Sequence, residues 1–170
     1  MKHNKIVLIG FMGSGKTTMA KKLAKKINVS FFDLDHEIEK QENLSIPQLF
    51  EQKGEDYFRK VEKAILKKTI NKKDDFVLSV GGGTPCFFDN MAYINTVGTS
   101  IYLKYNAGIL TSRLMNATTP RPLIKNLNKE ELKLFVSHKL AERELFYKQS
   151  KLVVEGNNLK TEDLERLLWG

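Results

Sequence analysis

The sequence contains a single cysteine among its 170 residues, Cys86, and has no cluster of Cys and His with the spacing of a zinc site. An intramolecular disulfide is therefore excluded, which favours a packed core in a reducing cytoplasm. No apolar run approaches the roughly 20 residues that a membrane-spanning helix needs. We predict a single domain, residues 1–170, with no membrane partner.

Acidic residues are fewer than basic ones: 20 Asp and Glu stand against 28 Lys and Arg, for a net charge of +8. This balance favours acidic partners, either nucleic acid or small phosphorylated and carboxylated ligands. The lysines occur in pairs at helical spacing, as at Lys21 and Lys22, which is typical of solvated helix faces. Paired aromatic residues within a basic strand, which a binder of single-stranded nucleic acid would need, are missing as well. We therefore predict no nucleic-acid partner.

One motif stands out against these absences. The segment GFMGSGKT, residues 10–17, fits G-x-x-x-x-G-K-[ST] and directly follows the apolar run IVLI. Its glycines allow backbone N–H groups to surround an anion, and the following helix adds the positive charge of its N-terminus. We predict a nucleotide phosphate site in which Lys16 contacts the β- and γ-phosphates and Thr17 contacts Mg²⁺. The alternative, a glycine-rich turn without a ligand, is disfavoured because strand, loop and helix follow in the required order.

Strand and helix patterns alternate along the whole chain. The predicted strands are residues 5–9, 29–32, 76–80, 99–103 and 151–154. The predicted helices are residues 16–27, 36–41, 55–73, 87–95, 107–115, 129–149 and 159–169. A capping box at Ser45 and Gln48 predicts one more helix, which Gly54 ends. This alternation predicts an α/β fold with a parallel sheet covered on both faces.

Polar or flexible residues follow two of the predicted strands. Asp33 and Asp35 come at the end of the second strand, and Gly81–Gly83 end the third. Ligands of open parallel sheets bind at this edge, and glycines there indicate close approach of the backbone to a ligand. Two alternatives stay open at this point: the carboxylates could cap the next helix, and the glycines could form a flexible turn.

Three arginines could face the same edge. Residues 116–128 cannot form an ordinary helix because prolines flank Arg121 on both sides, and such a loop is a candidate lid. Arg59 and Arg143 lie on predicted helices, each close to a glutamate. Taken alone, they fit surface ion pairs as well as they fit a binding site.

The order and spacing of these motifs resemble those of the shikimate kinases from one end of the chain to the other. The resemblance is carried by GFMGSGKTT at 10–18, DLD at 33–35, FRxxE at 58–62, GGG at 81–83, RPL at 121–123 and ERxxxY at 142–147. It implies a P-loop kinase fold similar to that of nucleoside monophosphate kinases, with a five-stranded parallel sheet of order 2-3-1-4-5. It also implies ATP-dependent phosphorylation of the 3-hydroxyl of shikimate, giving shikimate 3-phosphate and ADP, in the biosynthesis of chorismate and the aromatic amino acids.

The resemblance also implies a role for each matching residue. Asp35 would hold the ring hydroxyls and accept a proton, Asp33 would support Mg²⁺ through water, and Arg121 would close over the γ-phosphate, so that Lys16, Asp35 and Arg121 are the implied catalytic residues. The implied ATP-binding residues are Gly13, Ser14, Gly15, Lys16, Thr17, Thr18, Arg113, Arg121 and Asn157. The implied shikimate-binding residues are Asp35, Arg59, Gly82, Gly83 and Arg143, with residues 35–60 as the substrate-binding segment.

Two other classes of function fit the same motifs. One is a kinase for another small metabolite or nucleotide, such as gluconate or a nucleoside monophosphate. The other is a module that senses nucleotide or binds nucleic acid without catalysis. The paired arginines and Asp35 favour a hydroxylated carboxylate, whereas Lys16 and Thr17 argue against an inactive kinase. We therefore expect a cytoplasmic monomer that uses Mg²⁺, ATP and shikimate.

Overall fold

The structure is a computed structural model that describes residues 5–119 and 121–170. Its strands are β1 (Ile6–Ile9), β2 (Ser30–Asp33), β3 (Phe76–Ser79), β4 (Thr99–Lys104) and β5 (Leu152–Glu155). Its α-helices are α1 (Lys16–Ile27), α2 (Leu34–Glu42), α3 (Ile46–Ile70), α4 (Asn90–Val97), α5 (Ala107–Met115), α6 (Lys129–Tyr147) and α7 (Thr161–Trp169). The predicted alternation of strands and helices is confirmed.

The five strands form one parallel sheet in the order β2-β3-β1-β4-β5. This is the order that the resemblance implies, and it is confirmed. In the central strand, Ile6 pairs with Val77 on one side and with Thr99 on the other. Every residue of β1 and β3 is buried, as expected for inner strands of a parallel sheet with both faces covered.

Helices cover both faces of the sheet. Helix α1 contacts α7, whereas α3 contacts both α2 and α4, and α5 contacts α6. The crossover from β1 to β2 runs along the sheet in the opposite direction to the three later crossovers. Right-handed connections therefore place α1 on one face and α2 to α6 on the other. Within the described residues, no helix is long and apolar enough to cross a membrane.

Helix α3 consists of two helical segments that meet at a kink at Gly54, where φ is 80° and ψ is 169°. A positive φ suits glycine, and the predicted end of one helix at Gly54 with a second helix after it is confirmed. The second segment differs from its prediction only at its end, which is Ile70 rather than residue 73. The predicted capping box is confirmed: the Ser45 hydroxyl accepts from the Gln48 N–H at 3.3 Å, and Gln48 Oε1 accepts from the Ser45 N–H at 2.8 Å.

The segment after β3 also differs from its prediction. Instead of a helix over residues 87–95, a short 3₁₀ turn spans Thr84–Cys86 and α4 begins only at Asn90. Between them Phe88 takes a positive φ of 51°, which delays the helix. In the candidate lid, the described residues contain one 3₁₀ turn, Pro122–Ile124, while Pro120 lies outside the described residues.

Candidate active site

The glycine-rich loop between β1 and α1 has the backbone shape of a phosphate cradle. Gly13 and Gly15 have φ angles of 81° and 80°, a conformation that L side chains rarely adopt. The loop closes on itself through a hydrogen bond from the Ser14 N–H to the Phe11 carbonyl at 3.2 Å. The following helix begins at Lys16, so its unpaired N–H groups lie at the same edge of the sheet.

Lys16 is buried at the base of this loop, where its ammonium group donates to the Phe11 carbonyl at 2.9 Å. Burial lowers the pKa of Lys16, the charges of Arg121 and Arg143 add to this shift, and those of Asp35 and Asp33 oppose it. Together they bring the pKa of Lys16 to about 8. The cations and carboxylates predicted at this site therefore lie close enough to Lys16 to influence one another.

Oxygen ligands suited to a hard cation meet beside Lys16. The Thr17 hydroxyl donates to Asp33 Oδ2 at 2.7 Å and lies 3.3 Å from the Ser79 hydroxyl. The other oxygen of Asp33 accepts from the His36 N–H at 3.1 Å and caps α2. The capping alternative for Asp33 is thus correct, but it accounts for only one of the two carboxylate oxygens.

Asp35 lies in the first turn of α2 and faces the same cavity. Burial raises the pKa of this carboxyl to about 6, and the negative charges of Asp33 and Glu62 raise it as well. A carboxylate with a pKa near neutrality is suited to accept a proton from a hydroxyl group, because it is ionised at pH 7 and still moderately basic.

These groups surround one cavity of about 680 Å³ at the carboxyl edge of the sheet. The predicted site residues that line it are Gly13, Gly15, Lys16, Thr17, Thr18, Asp33, Asp35, Gly82, Arg113 and Arg121. The Nε atom of Arg121 is buried and has no hydrogen-bond partner among the described residues. The candidate lid therefore contributes one cationic side chain to the lining of the cavity.

The triple glycine brings two further arginines to this edge. A Cβ atom on Gly82 would lie 3.1 Å from Arg143 Nη1, and one on Gly83 would lie 2.7 Å from Arg59 Nη2. Side chains at these positions would push against the guanidinium groups. The glycines are therefore needed so that backbone and arginines can approach each other, rather than for a flexible turn.

Arg59 is held on several sides. Its guanidinium group donates to Glu62 Oε1 at 2.9 Å and lies 3.9 Å from the ring centroid of Phe87. Glu62 is itself buried and also accepts from the Thr84 hydroxyl at 2.8 Å. Only 11% of the Arg59 side chain is exposed, which excludes the alternative of an ordinary surface ion pair. For Arg143, the neighbouring Glu142 pairs with Lys139 instead.

A second cavity, of about 590 Å³, continues from the cradle on the other side of Arg113. The guanidinium carbon of Arg113 lies 4.3 Å from the ring centroid of Tyr105, whose hydroxyl accepts from Arg113 at 3.3 Å and from the Leu159 N–H at 3.2 Å. Asn158 lines this groove, whereas the predicted Asn157 lines a separate cavity. Asn158 therefore borders both cavities, and the role of Asn157 in ATP binding stays a prediction.

Sequence reasoning missed several members of the site. Ser79 was visible as the single polar residue of an apolar strand, so its contact with Thr17 could have been inferred from that signal. No such signal in the sequence marks three other residues, Thr84, Phe87 and Tyr105. Each of them contacts a site residue on another element: Thr84 bonds to Glu62, Phe87 stacks on Arg59, and Tyr105 bonds to Arg113.

A P-loop, a buried lysine, oxygen ligands for a cation and arginines beside the triple glycine at one edge of a parallel sheet are features of a P-loop kinase. The family model for shikimate kinase matches residues 12–168. A shikimate kinase from Azobacteroides pseudotrichonymphae is 48% identical over 149 residues, which cover 88% of each chain. The chain therefore belongs to the shikimate kinase family.

Solved structures agree with this assignment. The crystal structure of the shikimate kinase from Bacteroides thetaiotaomicron superposes with a TM-score of 0.92 and 35% identity, covering 96% of this chain and 97% of that one. The shikimate kinase from Acinetobacter baumannii, in complex with shikimate, gives a TM-score of 0.84 at 30% identity and covers 98% of this chain and 91% of that one.

Proposed function

We propose that this protein transfers the γ-phosphoryl group of ATP to the 3-hydroxyl of shikimate, giving shikimate 3-phosphate and ADP. The observation that carries the proposal is the placement of Arg59, Arg143 and Asp35 around the triple glycine, beside the cavity that the P-loop lines. Planar guanidinium groups suit a carboxylate, and Asp35 suits a neighbouring hydroxyl. The acceptor is then a small acid that carries hydroxyl groups, as shikimate is.

In this reaction, Asp35 accepts the proton of the attacking hydroxyl. Its raised pKa supports this role, because the proton can be taken up near pH 7 and released again after transfer. Lys16 contacts the β- and γ-phosphates, and Arg121 follows the charge on the transferred group. Arg121 lines the same cavity as Lys16 and the P-loop, and its positive charge there supports this role.

Mg²⁺ fits the oxygen cluster at Thr17, Asp33 and Ser79, because hydroxyl and carboxylate oxygens are the ligands that this cation takes. We propose that Thr17 holds the ion directly and Asp33 through water. When bound, the ion would neutralise charge on the β- and γ-phosphate oxygens. The Thr17 hydroxyl would hold the ion through an oxygen lone pair while its O–H continues to donate to Asp33.

We further propose that residues 116–128 act as a lid, that residues 35–60 form the substrate-binding segment, and that the chain acts as a single-domain monomer. Arg113 supports the placement of the adenine ring, since it lies between the cradle and the groove that Asn158 lines. Light scattering at working concentration tests the monomer directly.

The proposed reaction is tested by ADP release from purified protein with ATP and Mg²⁺ in a panel of acceptors. We expect turnover with shikimate and only background with quinate, gluconate or nucleoside monophosphates. Turnover with a nucleotide and none with shikimate would overturn the proposal. In the same assay, Arg143→Ala should raise the KM for shikimate far more than that for ATP, whereas Arg166→Ala on α7 serves as the control.

A further inference from the structure

Tyr147 is buried at the end of α6, and the proposed reaction does not use it. Its hydroxyl donates to the carbonyl of Gly82 at 2.6 Å, a contact between residues 65 positions apart in the chain. Buried tyrosines generally find a hydrogen-bond partner. The partner of Tyr147 is Gly82, the central residue of the triple glycine. The bond therefore connects α6 to the segment that borders the acceptor pocket.

The same helix carries Arg143 one turn earlier, so both side chains lie on one face of α6. Around Gly82 there is little free space, since a Cβ atom there would lie 3.1 Å from Arg143 Nη1 and 3.4 Å from the Met12 backbone N. The triple glycine is thus packed between Arg143 and the P-loop. A shift of the Gly82 carbonyl would change both distances.

The ring of Tyr147 is fixed independently of its hydroxyl. It packs against the buried ring of Tyr102 on β4, with 5.1 Å between ring centroids. Burial also raises the pKa of Tyr147 above its ordinary value, so its hydroxyl remains a donor across the working range of pH. The donor is therefore held in position and permanently protonated.

We infer that Tyr147 is a positioning residue for the acceptor: by holding the Gly82 carbonyl, it fixes the distance between the triple glycine and Arg143, and so the width of the pocket that receives the substrate carboxylate. The inference rests on the proposed function, since it concerns the acceptor half of that site. It predicts a smaller effect on ATP binding than on shikimate binding, because the Tyr147 hydroxyl bonds to the triple glycine and not to the P-loop.

Tyr147→Phe tests the inference, with Tyr102→Phe as the matched control. Both substitutions remove one hydroxyl from the same buried ring pair, but among the described residues the Tyr102 hydroxyl bonds only to Glu144, at 3.5 Å. From the cost of leaving a buried carbonyl unpaired, we expect Tyr147→Phe to raise the KM for shikimate roughly tenfold. The KM for ATP should stay within about twofold for both variants, and Tyr102→Phe should leave the KM for shikimate unchanged within the same factor.

Amide hydrogen exchange on the same proteins, without substrate, provides a second measurement. We expect faster exchange over residues 81–84 in Tyr147→Phe and unchanged exchange there in Tyr102→Phe. Unchanged exchange together with an unchanged KM for shikimate would overturn the inference, as would equal effects of the two variants. If the wild-type protein does not phosphorylate shikimate, the proposed function fails, while exchange still decides whether Tyr147 anchors the segment.

Discussion

Replacing Asp35 with asparagine should stabilise the fold while abolishing turnover. Asp35 is largely buried, and its pKa is raised from 3.8 to about 6. Above pH 6 the native protein therefore holds a charge that would be more favourable in the unfolded chain. One pKa unit corresponds to about 1.4 kcal/mol, so the charge of Asp35 lowers the free energy of unfolding by at most about 3 kcal/mol. Residual solvent screening reduces this loss to about 2 kcal/mol.

The sign of the effect depends on pH. A raised native pKa means that the native state binds the proton more tightly, so the contribution of Asp35 to stability is greatest below pH 4 and is lost as the pH rises through about 6. An asparagine side chain at this position would carry no charge at any pH. We therefore expect Asp35→Asn to raise the melting temperature by about 4–8 °C at pH 8 for a chain of this size, and by much less at pH 4.5.

The assay is thermal unfolding of wild type and variant between pH 4.5 and pH 8. Asp56→Asn provides the matched control, because Asp56 is an exposed carboxylate on α3 and its neutralisation should change the melting temperature by less than about 1 °C. A stabilisation by Asp35→Asn of equal size at both pH values would show that it does not come from removing the charge of Asp35. A destabilisation at pH 8 would show that contacts of Asp35 outweigh the burial of its charge.

Three further predictions concern the same pocket. First, kcat/KM for shikimate should fall about tenfold per pH unit below about pH 6 as Asp35 becomes protonated, and a flat profile down to pH 5 would exclude it as the proton acceptor. Second, Glu62→Ala should lower the free energy of unfolding by about 2–4 kcal/mol in urea titrations, because it leaves buried Arg59 without its main partner, whereas Glu62→Gln should have a smaller effect. Third, Gly83→Ala places a Cβ atom 2.7 Å from Arg59 Nη2 and should raise the KM for shikimate without changing that for ATP; equal changes in both would contradict this.

The donor half of the site could be predicted from the sequence because its parts are local. Gly13, Gly15, Lys16 and Thr17 lie within five residues, and the backbone between a strand and a helix leaves few arrangements for them. The order of the strands in the sheet could not be predicted in this way. The local hydrophobic pattern indicates that the strands are parallel, but it does not indicate which strands lie side by side. Only the resemblance to a known family supplied the order that the structure confirms.

Details that depend on distant contacts could not be predicted. Whether Arg59 forms a surface ion pair or is buried is decided by Phe87, which lies 28 positions away along the chain and stacks on its guanidinium group. Similarly, the path of the chain after β5 decides that Asn158 and not Asn157 lines the second cavity beside the P-loop. A positive φ at Phe88, which delays α4, is unusual for an aromatic residue and has no signal in the sequence.

The two halves of the pocket also differ in how they can be changed. The phosphate cradle is one continuous segment of the chain, whereas the acceptor half combines Arg59 from α3, Arg143 from α6 and the glycines after β3. Substitutions in the acceptor half should therefore alter which acid is phosphorylated while ATP still binds. The exception is electrostatic: Arg143 contributes to the lowered pKa of Lys16, so its removal should raise that pKa and leave Lys16 more fully charged toward ATP above pH 8.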